Sequence, residues 1–92
     1  MKSLSTSLRE NKRYLLVRGK NLRQDIEKAI LDFAGVIGLS KTCLNFINVE
    51  KDFAIISINR ESINLVRSSI CVWHEKMFVE RVSGTLNGLK NN

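Results

Sequence analysis

The chain has 92 residues, which makes one small domain with a modest core. A hydrophobic fraction of 43% with 26% charged residues excludes a disordered chain, and two cysteines, Cys43 and Cys71, exclude a disulfide scaffold or a four-cysteine zinc site. The net charge is +6, and residues 1–20 hold six cations against one acid while residues 21–92 hold nine against eight, so the excess sits at the start of the chain and favours a polyanionic partner.

Residues 1–12 form a polar, basic N-terminal segment, read as irregular or a single turn. It lacks the apolar stretch of a signal peptide, and no apolar run approaches the ~20 residues of a membrane helix. A cytoplasmic location, with both thiols reduced, is the expectation. RYLLVRG (13–19) predicts the first strand, closed by Gly19. In NLRQDIEKAILDFAG (21–35), Leu22, Ile26, Ala29, Ile30 and Phe33 recur at helical spacing. Asn21 with Gln24 reads as a capping box, and Gly35 as the residue past the helix end. VIGLSKTC (36–43) continues as a second short helix or a loop, in which Val36, Ile37 and Leu39 need cover.

LNFINV (44–49) and FAIISIN (53–59) predict a hairpin turned at Glu50-Lys51-Asp52. ESINLVRSSICVWHE (61–75) predicts a helix whose apolar stripe is Ile63, Val66, Ile70 and Trp73. MFVERV (77–82) is the last strand, and residues 83–92 a short C-terminal tail that opens on the strand stop Ser83-Gly84-Thr85. The order β-α-β-β-α-β predicts an α+β fold: a ferredoxin-like α/β sandwich in a single domain over 1–92. Two main helices, plus a short extra one, would cover one face of a four-stranded antiparallel sheet. Strands 1 and 3 would lie at its centre and strands 2 and 4 at its edges.

Such a fold serves many functions, so the side chains must decide. The aromatic signature of a base-stacking RNA-recognition sheet is missing, since strand 1 offers Tyr14 and strand 3 only Phe53. The sole histidine, His74, closes a helix. There is no paired carboxylate, P-loop or acylphosphatase glycine loop, and no ligand set for a metal. The chain is not expected to be an enzyme by itself. Binding remains. Lys12-Arg13-Tyr14 places two cations beside an aromatic at the mouth of strand 1, and Arg18 and Lys20 follow at its far end. Arg60 precedes a polar row on the second helix, Asn64, Arg67, Cys71 and His74, and with Arg67 suits a phosphate backbone.

LRENKRYLLV (8–17), LDFAGVIGLSKTCL (31–44), INRESINLVRSSI (58–70) and VSGTLNGLK (82–90) together resemble the archaeal ribonuclease P protein component 2 family, related to a small subunit of eukaryotic ribonuclease P and MRP. The resemblance implies a ferredoxin-like core with an added helix and a non-catalytic role. It implies binding to the catalytic RNA that removes 5′ leaders from precursor tRNA with Mg²⁺, the metal belonging to the RNA and no cofactor to this chain. It also implies pairing with a TIM-barrel protein subunit, self-association of two such pairs into a heterotetramer, and indirect contact with precursor tRNA. By position, Lys12, Arg13 and Tyr14 fall on the family's KRY element, Arg60 and Arg67 on its NR and VR positions, and Ser83, Gly84 and Thr85 on its SGT. Two departures stand out. Leu4-Ser5-Thr6-Ser7-Leu8-Arg9 replaces a proline-bearing opening, and Ser57 stands in strand 3 where the family often has arginine. The alternative is a ferredoxin-like dimeric regulatory module, which would hold a small effector in a pocket near Gly35 and Gly38.

Overall fold

The computed structural model describes residues 12–73 and 76–90. The basic segment 1–11, with Lys2 and Arg9, and His74 lie outside the described residues. Strand β1 (Lys12–Gly19) leads into helix α1 (Leu22–Thr42), then strands β2 (Asn45–Val49) and β3 (Phe53–Asn59). A 3₁₀ turn (Arg60–Ser62), helix α2 (Ile63–Val72), strand β4 (Met77–Ser83) and helix α3 (Leu86–Lys90) complete the chain. The sheet order is β2-β3-β1-β4 with every neighbouring pair antiparallel, so β1 and β3 are central, as the element order predicts.

Strand alternation sorts the side chains to two faces. Leu15 and Val17 of β1 and Ala54, Ile56 and Ile58 of β3 point to one side, where Leu22, Ile26, Ala29 and Ile30 of α1 and Val66 and Ile70 of α2 close over them. Full burial of each large aliphatic side chain contributes about 1.5–3 kcal/mol. The hairpin between β2 and β3 turns at Glu50–Asp52, where the Glu50 amide donates to the Phe53 carbonyl at 2.8 Å.

Three local expectations change. Asn21 adopts left-handed backbone (φ 54°) with no side-chain cap; it turns the chain from β1 into α1, and its carbonyl accepts the Asp25 amide at 2.9 Å. The capping box with Gln24 does not form. Gly35 (φ 77°, ψ −179°) breaks α1 in a conformation that is essentially glycine-only, yet the helix resumes and runs to Thr42. The extra helical segment is this second half of α1. Phe33, Val36 and Ile37, expected to be covered, are 49%, 73% and 71% exposed. They flank the break, where the axis changes direction, so the apolar face carried across it no longer meets the sheet. The third change is α3: within the expected C-terminal tail, residues 86–90 are helical. Its Leu89 is buried among Leu16, Phe53 and Ile55, on the sheet face opposite α1 and α2.

Candidate nucleic-acid interface

Antiparallel pairing brings the start of β1, the end of β3 and the end of β4 to the same end of the sheet. Lys12 faces Asn59, and Tyr14 sits between Ser57 and Ser83. Arg60 follows Asn59 directly, and Gly84 and Thr85 follow Ser83. Lys12, Arg13, Tyr14, Arg60 and the Ser83-Gly84-Thr85 stretch thus converge, although Lys12 and Thr85 lie 73 positions apart in sequence. Lys12, Arg13, Tyr14 and Ser83 are half-buried, while Arg60, Gly84 and Thr85 are exposed. The Arg13 guanidinium donates through Nη1 to the Lys12 carbonyl at 2.8 Å, and it lies over Gly84, where an added Cβ would sit 3.9 Å from Nη1.

Sequence reasoning missed two members of this end. The Asn59 side-chain amide donates to the Lys41 carbonyl at 2.8 Å and contacts Cys43 Sγ at 3.4 Å, which ties β3 to the end of α1. That tie brings exposed Lys41, in the last turn of α1, beside the Lys12–Asn59 pair. The signal for Lys41 was a cation at a helix C-terminus. Its place beside β1 is a product of the fold.

The Ser83 and Thr85 hydroxyls act locally. Ser83 Oγ accepts the Thr85 amide at 3.2 Å, and Thr85 Oγ1 accepts the Gly88 amide at 3.0 Å. Thr85 is therefore the N-cap of α3, and its carbonyl accepts the Leu89 amide. Gly88 packs against Ser83, and a Cβ there would displace the Ser83 hydroxyl.

The remaining candidates sit elsewhere. Arg18 and Lys20 lie at the opposite end of β1, where Lys20 borders a groove with Arg23 and Lys51. Arg18 donates from Nε to Glu80 and lies 5.8 Å from the Phe53 ring centroid. Glu80 is the extra residue of a β-bulge, since Leu16 pairs with Arg81 but Val17 pairs with Val79. Arg67 is exposed midway along α2, in a groove with Cys71, Met77 and Phe78 at the β4 edge.

Four antiparallel strands in the order β2-β3-β1-β4, with two helices on one face, define a ferredoxin-like α/β sandwich. At one end of its sheet it gathers cations, one aromatic and two hydroxyl-bearing residues. No family model matches the chain. Curated proteins do: ribonuclease P protein component 2 of Methanococcus maripaludis strain S2 is 29% identical over 99% of this chain and 78% of the relative. The strain C5 protein of the same name is 30% identical over 82% of this chain and 64% of its own length, so the chain spans a little under two thirds of that relative. These ribonuclease P component 2 proteins are homologues of the chain over most of its length. A chain of the cryo-EM structure of yeast ribonuclease MRP has the same fold, with a TM-score of 0.67 at 16% identity, over 83% of this chain and 76% of that one.

Proposed function

We propose that the chain is a non-catalytic RNA-binding and assembly subunit of ribonuclease P. In this reading it holds the catalytic RNA that trims 5′ leaders from precursor tRNA. The observation that carries it is the convergence of Lys12, Arg13, Tyr14 and Arg60, joined by Lys41, at one end of the sheet. Cations on a rigid strand end neutralise phosphates without having to be ordered first, and Tyr14 adds a ring for ribose or base packing. The RNA brings its own Mg²⁺, and this chain contributes position and charge. The exposed apolar surface around Phe33, Val36 and Ile37 suits a protein partner, for which a TIM-barrel subunit is the proposal, with self-association of two such pairs. The cytoplasm is the proposed location.

A salt titration of binding to the ribonuclease P catalytic RNA tests this reading. With about four phosphates contacted, log K falls with log salt at a slope of roughly −3 to −4. A flat response removes the electrostatic mechanism. Co-purification with a tagged chain should yield one structured RNA and a TIM-barrel protein. Recovery of a small effector without RNA would favour the regulatory module instead. That module's expected pocket has little support at Gly35, where an added Cβ would meet nothing within 4 Å.

A further inference from the structure

Among the described residues, α3 is the element that rests on the face of the sheet opposite α1 and α2. Register places Tyr14, Leu16 and Arg18 of β1, Phe53, Ile55 and Ser57 of β3, and Phe78 and Arg81 of β4 on this face. Half of the chain's six aromatic residues are therefore here: the central strands offer only Tyr14 and Phe53, too few for the base-stacking signature, and the register adds Phe78 from the edge strand β4. Its charge is biased in the same direction. Asp25, Glu27 and Asp32 belong to α1, Glu50 and Asp52 to the hairpin, and Glu61 to the 3₁₀ turn. Glu80 lies beside this face and is engaged by Arg18, while Asp25 and Asp52 border the groove at its Arg18–Phe78 end. Aromatic rings interleaved with arginines fit single-stranded RNA, whose bases stack on rings while its phosphates meet cations.

The centre of that surface is closed. Leu89 is 3% exposed and borders a crevice with Leu16, Phe53 and Ile55. The cover is slight, a five-residue helix started by one threonine cap.

We propose that the open sheet face is a second RNA surface, for an unpaired segment, and that α3 is a strap which must lift from it. The inference rests on the RNA-binding reading above and extends it to a site separate from the strand-end cluster. The strapped state competes with binding, so apparent affinity is reduced by the fraction of molecules whose strap is open.

The test uses the full chain, with a fluorescent 12-nucleotide oligouridine and a 12-base-pair RNA duplex as probes. Leu89→Gln releases the strap without changing charge. It should tighten oligouridine binding about ten-fold if the strap is closed nine-tenths of the time, and leave duplex binding unchanged. Adding Phe53→Ala should abolish the gain. In the unmodified chain, saturating oligouridine should speed amide exchange at residues 86–90, a readout that needs no variant to fold. The proposal is overturned if Leu89→Gln leaves oligouridine affinity the same or weaker, if duplex affinity rises equally, or if oligouridine slows exchange at 86–90. Dimerisation of Leu89→Gln without a gain in oligouridine affinity also overturns it, and assigns the face to a protein. If the unmodified chain binds the catalytic RNA while any of these results holds, only the strap is lost. If no form of the chain binds any RNA, the proposed function fails with it.

Discussion

At the scale of single residues, Ser83, Gly84, Thr85 and Gly88 form one joint. Ser83 Oγ accepts one amide, Thr85 Oγ1 accepts another, and Gly88 packs directly beneath the Ser83 hydroxyl. Thr85→Ala should remove about 1 kcal/mol from α3 alone. Amide exchange at residues 88 and 89 should quicken while the midpoint of global unfolding stays put. Gly88→Ala should have a larger effect, because its methyl group displaces the Ser83 hydroxyl. Arg13 belongs to the other half of the same neighbourhood. Its guanidinium is held by the Lys12 carbonyl and its side chain is half-buried at the strand end, so Arg13→Ala should cost no more than about 1 kcal/mol. The salt slope of RNA binding should shrink by about 1. An unchanged slope would take Arg13 out of the interface.

At the scale of elements, α1 shows what the sequence conveys and what it withholds. Leu22, Ile26, Ala29 and Ile30 are legible as the buried face because their spacing is the period of the helix, and all four are buried. The strands were legible within a residue or so because runs of aliphatic and aromatic residues are bounded by turn residues. Gly35 was legible as a break and not as an interruption within a longer helix, because periodicity is a local property and carries no record of a change in axis. The 86–90 helix offered only Leu86 and Leu89, one turn apart, in a polar stretch with Gly88 inside it. Its formation depends on a sheet face that the local sequence cannot reveal. The site follows the same division. Lys12-Arg13-Tyr14 was visible as a run, while Lys41 joined only through the Asn59 tether across the fold. At Gly35 the backbone conformation predicts a specific cost. Gly35→Ala should destabilise the domain by about 1–3 kcal/mol in urea unfolding, although the space around it is empty. Val36→Ser and Ile37→Ser, two exposed neighbours, should each stay within about 0.5 kcal/mol. If those two changes weaken capture of the protein partner, the apolar surface around them is its docking site.

At the scale of the whole molecule, one apolar layer lies between the sheet and two helices, and Ile56 sits in it fully buried on central β3. Ile56→Ala should cost about 2–5 kcal/mol in the same urea titration, a large share of the stability of a domain this small. The topology has a further consequence, for synthesis. β1 emerges first, but its two partners are β3, which ends at Asn59, and β4, which ends at Ser83. At roughly 5–20 residues per second, the central strand waits several seconds on the ribosome with both edges bare. Its apolar side chains Leu15, Leu16 and Val17 are then open to a chaperone. Nascent chains stalled before β4 has cleared the exit tunnel should be cut readily by protease within β1, and those stalled beyond it should resist.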